Sequence, residues 1–296
     1  MDPRHVGRGQ AVDPARWGVV GDRGKVPVVL PQRHPALADA VHRAEGQVDD
    51  LALRRQSAVK CPQHEQKENH LARGVSVIAI DGPVAGGKTA VGRELAQTLG
   101  FGYLDTGVMY RAITWLALKN GIPVDNSDSL GKLARTNPLE MLGADSNRVS
   151  VAGHILGPEL REPSVDRNVS AVSMASPVRK ELVAQQRQMA NKGNIVMIGR
   201  DIGTVVLPSA DLKVYLTASP ENRAQRRWRE MRERGEEVEL LTVLSETLAR
   251  DKKDSNRDDS PLKPAKDAWK LNTDDLDIQQ VVQTIIDWAE SIDGQR

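Results

Sequence analysis

From Val75 onward the apolar positions fall into two recurring periods, and before that point they settle into neither. Val75-Ser76-Val77-Ile78-Ala79-Ile80 is a short run rich in β-branched residues and predicts a buried strand. Asp81 to Lys88 is glycine-rich and predicts a loop. Thr89 to Leu99 then carries Val91, Leu95 and Leu99 at helical spacing and stops at Gly100, a residue suited to a helix C-cap. Phe101–Leu104 predicts a second strand, running into Asp105-Thr106-Gly107. Met109–Lys119 predicts a helix with Ala112, Trp115 and Leu116 on one face. This strand–helix repetition predicts parallel strands with helices packed across them.

The pattern changes from Pro123 to about Pro163. Arg148–Val151 and His154–Leu156, separated by Ala152-Gly153, predict a small hairpin. Helical stretches follow at Ser170–Ser176 and Pro177–Ala190, the second opened by a proline at its first turn. Asn194–Ile198 predicts a strand leading into Gly199-Arg200-Asp201, and Leu212–Leu216 another. Residues 220–253 are highly charged with helical period, divided at Gly235. A last strand near Ala268–Leu271 and a helix over Ile278–Ser291 close the chain. That helix carries its apolar stripe on Val281, Val282, Ile285, Ile286 and Ala289, and the stripe packs on the sheet.

Residues 1–74 read as a leader, disordered or loosely helical, in which only Pro35–Arg55 has helical character. Five of the six histidines lie there, with Cys61, the single cysteine. Cys61, His64 and His70 are surface residues on this reading, because three ligands without a packed frame make a poor zinc site. One cysteine also excludes an intramolecular disulfide. His154 is the one histidine left after Val75, so the chemistry rests on Lys, Arg, Asp, hydroxyls and backbone. A net charge of +1 makes no case for nucleic acid or an anionic membrane. No run approaches the roughly 18 apolar residues of a membrane span, so the expected location is the cytoplasm.

Gly82-Pro83-Val84-Ala85-Gly86-Gly87-Lys88-Thr89 matches the phosphate-loop pattern G-x-x-x-x-G-K-[ST] in full, between a predicted strand and a predicted helix. Its glycines let backbone N–H groups face one point, and the following helix adds its positive end. Lys88 is placed to reach the β- and γ-phosphates of ATP, and Thr89 to hold Mg²⁺. A GTPase would also carry N-K-x-D. Asn191-Lys192-Gly193-Asn194 and Asn272-Thr273-Asp274-Asp275 each fail that pattern at a defining residue. Arg111, Arg200, Arg250 and Arg257 follow elements expected to open toward the loop. Distributed positive charge is what phosphoryl transfer needs, and Arg200-Asp201 sits where open α/β sheets bind ligands, beyond a strand's carboxyl end.

The sequence from about Val75 onward closely resembles the bacterial cytidylate kinases. The resemblance rests on Ile80–Thr89, Leu104-Asp-Thr-Gly-Val-Met-Tyr-Arg111, Gly199-Arg-Asp-Ile-Gly-Thr-Val-Val206 and Arg250-Asp-Lys-Lys-Asp-Ser-Asn-Arg257. It implies a P-loop NTPase fold of the α/β class, three layers α/β/α around a five-stranded parallel sheet. Residues 122–190 would hold a small acceptor-binding insert and residues 220–258 a helical lid. It implies ATP and CMP or dCMP as substrates and a monomer. CMP would be bound by Asp105, Thr106, Arg111, Ser170, Arg179, Arg200, Asp201, Asp254 and Arg257. Within that set Arg111, Arg200 and Arg257 would meet its phosphate, Ser170, Arg179 and Asp201 its base, and Asp254 with Arg250 its sugar. Arg223 and Arg227 would face ATP with the phosphate loop. Lys88, Arg111, Arg200, Arg250 and Arg257 would be catalytic. A kinase for UMP or another small acceptor, and an inactive nucleotide-binding regulator, stay open as alternatives. The leader lies outside the resemblance and is left open as a contact for a partner.

Overall fold

The computed structural model describes residues 74–143, 148–257 and 259–293. All of the expected leader except Gly74 therefore lies outside the described residues, including the helical stretch at Pro35–Arg55 and the Cys61, His64 and His70 grouping.

In chain order the first elements are strand β1 (Val77–Asp81), helix α1 (Lys88–Leu99), strand β2 (Gly102–Asp105) and helix α2 (Thr106–Lys119). Next come helix α3 (Ser127–Thr136), the short strands β3 (Glu140–Leu142), β4 (Arg148–Val151) and β5 (His154–Leu156), and helices α4 (Pro163–Met174) and α5 (Ser176–Ala190). The remainder is β6 (Ile195–Gly199), β7 (Leu212–Thr217), α6 (Pro220–Glu233), α7 (Leu240–Ser255), β8 (Trp269–Asn272) and α8 (Ile278–Asp293).

Alternate side chains of the central strands enter two different cores, and this creates the layers. Ile78 and Ile80 of β1 and Val196 and Ile198 of β6 pack with α1 and α8 residues such as Leu95 and Ile285. Ala79, Ile195 and Met197 point the other way, toward Met109, Ile113 and Leu182. A strand buried on both faces reads as an unbroken apolar run, which is why these strands stand out in the sequence. The strands pair in parallel in the order β2-β6-β1-β7-β8, giving a three-layer α/β/α fold. With β6 and β7 on either side of β1, the chain after β1 opens into a crevice at the strands' carboxyl ends.

The hairpin expected at 148–156 is present as β4–β5, and β3 joins it in a second, antiparallel sheet. Three features were not legible. Helix α3 buries Gly131 where a large apolar residue is usual, since a Cβ there would lie 2.4 Å from Cβ of Pro177. Strand β3 has three residues, too few for an alternation. A single π-helical turn, Ile202–Val206, follows Arg200-Asp201. Helix α4 begins at Pro163 rather than Ser170, with Pro163 in its first turn. The break in the charged helical region falls at Gly235, whose φ is +79°, as expected.

Candidate active site

The phosphate loop starts where β1 ends. Gly82 has φ +151°, and a Cβ on it would come within 2.1 Å of the Leu216 carbonyl oxygen at the end of β7, so only glycine lets the loop lie this close. Lys88 is buried, and its Nζ donates to the carbonyl oxygens of Gly82 at 2.8 Å and Pro83 at 2.6 Å. Burial, and then the positive charge of Arg200, push the Lys88 pKa well below its ordinary value. An anion beside it would counter both effects. Thr89 Oγ1 donates to Asp105 Oδ2 at 3.4 Å, while Asp105 Oδ1 caps α2 by accepting from the Gly107 N–H.

A cavity of about 1130 Å³ runs from this loop along the carboxyl edge of the sheet. Such a volume exceeds the roughly 300–1,000 Å³ usual for one small ligand and suits two. From the phosphate loop, residues 84–89 line it; Gly82 and Pro83 do not, their carbonyls being taken by Lys88. Asp105, Thr106, Arg111, Arg179, Arg200, Asp201, Arg227, Arg250, Asp254 and Arg257 also line it.

Apart from Arg250, each of these arginines is held by a particular carboxylate or carbonyl. Arg200 Nε donates to Asp254 Oδ2 at 3.0 Å and its Nη1 to the Gly82 carbonyl at 3.2 Å. Arg257 pairs with the other oxygen of Asp254 and reaches Ser173 Oγ at 3.3 Å. Asp254 is 1% exposed, so one buried carboxylate organises two arginines. Arg250 is pushed down to about 10, first by burial and then by Arg200, and its Nε has no hydrogen-bond partner among the described residues. Arg179 pairs with Asp201 and donates to Tyr110 Oη at 3.3 Å. Burial holds the Tyr110 phenol up at about 12, so it stays neutral. Both members of the Arg179–Asp201 pair are nearly inaccessible, and their mutual contact is what compensates their burial.

Besides Gly82 and Pro83, two more expected residues sit off the cavity. Arg223 is 3% exposed and is consumed by the Ala218 and Val84 carbonyls and by Asp251 at 2.6 Å. It therefore braces the phosphate loop through Val84. Ser170 does not line the cavity; its Oγ is buried without a partner among the described residues, and Ser173, one turn further along α4, lines it instead.

Other lining residues had not been singled out for the site. Arg161 and Arg234 are among them, as are Thr273 and Leu276 to Gln279, while Arg226, part of the 223–227 stretch that the resemblance turns toward ATP, lines the cavity as well. Arg226 lies between the two expected arginines of α6 and donates to the Thr273 carbonyl at 2.6 Å. On a helix that also carries Arg229 and Arg232, nothing in the spacing of Arg226 sets it apart. Asp81 was passed over because it precedes the loop pattern. Its two carboxylate oxygens accept from the N–H groups of Ile202 at 2.7 Å and Gly203 at 2.8 Å, tying the start of the phosphate loop to the turn after Arg200-Asp201.

Among the described residues no helix is long and apolar enough to cross a membrane. A family model described as cytidylate kinase matches residues 78–291. A cytidylate kinase of Streptococcus suis (strain 05ZYH33) is 47% identical over 218 residues, covering 73% of this chain and 96% of its own length. One from Streptococcus pneumoniae (strain 70585) is 45% identical over 215 residues, covering 72% and 96%. One from Exiguobacterium sibiricum is 45% identical over 214 residues, again covering 72% and 96%.

Proposed function

This chain belongs to the cytidylate kinase family, and we propose that the cavity at the carboxyl edge of its sheet is where it transfers a phosphoryl group from ATP to CMP or dCMP. The observation that carries this reading is a complete phosphate loop opening onto the same cavity as the Arg111, Arg200, Arg250 and Arg257 cluster and the Arg179–Asp201 pair. The product pair is ADP with CDP or dCDP.

ATP lies along residues 84–89, where backbone N–H groups and the start of α1 favour phosphate. Lys88 exchanges its two carbonyl partners for the β- and γ-phosphates. Arg227 adds charge from α6, and Arg223 keeps the loop in place through Val84. Mg²⁺ fits beside the loop: Thr89 and Asp105 offer a hydroxyl and a carboxylate, hard oxygen donors 3.4 Å apart. Bound with ATP, it would neutralise phosphate charge.

On the acceptor side Arg111, Arg200 and Arg257 meet the CMP phosphate next to Thr106. Asp254 and Arg250 lie along the sugar, and the Arg250 Nε has hydrogen-bonding capacity to spare. Asp201 accepts from the exocyclic amine of cytosine, while Arg179 donates to the ring carbonyl and nitrogen. The chain's own residues thus act almost wholly by positioning and by opposing charge, which phosphoryl transfer demands more than proton transfer. In this reading residues 122–190 form the acceptor insert and α6–α7 the lid. Since lid and cleft come from one chain, a monomer suffices, working in the cytoplasm where both nucleotides are pooled.

The test is ADP release by the full-length chain from Mg-ATP with CMP, dCMP, UMP, AMP and GMP offered separately. Turnover concentrated on CMP and dCMP is expected. Asp201→Ala is expected to lower the CMP-over-UMP preference by roughly 10-fold or more, the usual cost of losing a polar contact to a base. ATP binding with no turnover of any acceptor would favour the regulatory reading instead.

A further inference from the structure

Asp166 lies in the first turn of α4, outside the motifs that carry the family likeness, and does not itself line the cavity. It nevertheless holds two residues that do. Its Oδ1 meets Arg111 Nη1 at 2.6 Å, and its Oδ2 meets Arg227 Nη2 at 3.2 Å. Those arginines come from α2 and α6, so one carboxylate joins three elements. Arg111 is further fixed by donating from Nη1 to the Leu160 carbonyl at 2.9 Å. Arg227 has one other ionic neighbour among the described residues, Glu230, at 3.7 Å and 60% exposed, which binds it weakly.

Two guanidinium groups brought to opposite oxygens of one carboxylate repel each other unless that charge stays between them. Burial works to raise the Asp166 pKa, but Arg111 and Arg227 outweigh it and hold the carboxyl below its ordinary range. Asp166 is therefore ionised throughout the neutral range.

We propose that Asp166 is a positioning residue that holds Arg227 of the lid against Arg111 of the acceptor site, so that lid closure sets the two guanidinium groups beside the donor and acceptor phosphates between which the phosphoryl group passes. This rests on the function proposed above, in which Arg111 serves CMP and Arg227 serves ATP. The carboxylate touches neither nucleotide. It converts two long, separately mobile side chains into one preset pair, and thereby couples the insert to the lid.

The test is steady-state kinetics with Mg-ATP and CMP on the full-length chain and its Asp166→Asn, Asp166→Glu, Arg227→Ala and Asp166→Asn/Arg227→Ala variants, with thermal unfolding of each. Asp166→Asn is expected to lower kcat by roughly 10- to 100-fold, the scale of a misplaced positioning group, with KM for ATP changed less than about threefold. Asp166→Glu keeps the charge and should recover part of that loss. Arg227→Ala should lower kcat similarly, and the double variant should fall no further, because Asp166 acts through Arg227. Wild-type kcat in Asp166→Asn, losses that multiply in the double variant, or a Glu variant no better than the Asn variant would each overturn the proposal. If the unsubstituted chain turns over none of the nucleotides, the proposed function fails and this inference with it. Normal turnover of CMP with an unaffected Asp166→Asn removes this inference alone.

Discussion

On the proposed assignment, with ATP at the phosphate loop and the acceptor beside the arginines, the two ends of the cavity are built on opposite plans. The ATP end is a single stretch of eight residues, Gly82–Thr89, whose donors are mostly backbone and whose shape is set by glycine. The acceptor end is assembled from separate elements: Arg111 from α2, Arg179 from α5, Arg200 after β6, and Arg250 and Arg257 from α7 and the residues just beyond it. Backbone donors are fixed as soon as the loop folds. Guanidinium groups on long side chains have to be held, and here carboxylates hold them: Asp254 for Arg200 and Arg257, Asp201 for Arg179, Asp166 for Arg111 and Arg227. Precision is therefore local at one end and cooperative at the other.

That contrast predicts where single substitutions act. At the ATP end the largest effect should come from Lys88→Ala. The variant is expected to lose roughly 10²–10³-fold in kcat, the usual cost of removing one preorganised charge from a developing transition state. The fold should be unharmed, since burying Lys88 costs free energy rather than supplying it. CMP binding, measured by calorimetry without ATP, should change by less than about twofold. Near-normal turnover in this variant would move the catalytic charge elsewhere in the cavity.

The acceptor end should respond to loss of a carboxylate as well as of an arginine. Asp254→Ala removes a side chain that is 1% exposed and leaves Arg200 and Arg257 facing each other without compensation. Breaking a buried pair from one side costs about 3 kcal/mol. Both a lower midpoint in urea unfolding and a higher KM for CMP are expected, with KM for ATP far less affected. A variant of unchanged stability would mean that the arginines find other partners and that the cooperative picture is overstated.

The same contrast explains what the sequence disclosed. The phosphate loop was legible because it is contiguous and each residue type in it answers a local backbone requirement. The central strands were legible because burial on both faces leaves an unbroken apolar signature at Ile78–Ile80 and Ile195–Ile198. The arginine cluster was legible from its members' places after elements that open toward the loop, but their separate roles came from likeness to a family, since nothing local distinguishes Arg257 from the other arginines of the charged region. Asp166, Arg161 and Arg234 went unseen for that reason. They are charged residues on charged surfaces until tertiary packing brings them to one cavity. Arg223 shows the converse: the family resemblance of residues 223–227 implied a phosphate contact, yet its hydrogen bonds go to Val84, Ala218 and Asp251.

Asp81 sharpens the comparison at the point where the two plans meet. It ends β1 beneath the phosphate loop, and its two oxygens accept from Ile202 and Gly203 beyond the acceptor residues Arg200 and Asp201. Burial outweighs those hydrogen bonds and raises its pKa from 3.8 to about 6. A raised carboxyl pKa means that the folded state holds its proton more tightly than the unfolded chain does. The stability linked to Asp81 is then fully present below about pH 4 and is lost as pH rises through about 6. Asp81→Asn cannot titrate, but its amide can offer an acceptor to only one of the two N–H groups, so the absolute stability of the variant mixes two effects. The informative quantity is the difference in Tm between Asp81→Asn and the unsubstituted chain as a function of pH. The lost hydrogen bond shifts that difference by a constant, whereas the titration should move it in favour of the Asn variant between about pH 4 and about 6 and leave it level above about pH 7. A movement of a few degrees is expected, each kcal/mol being worth about 2–4 °C in a domain of this size. A flat difference across that interval would show that Asp81 is ionised throughout, with its two N–H partners fully offsetting burial, and the joint between the two ends would then be held by charge as the arginines are.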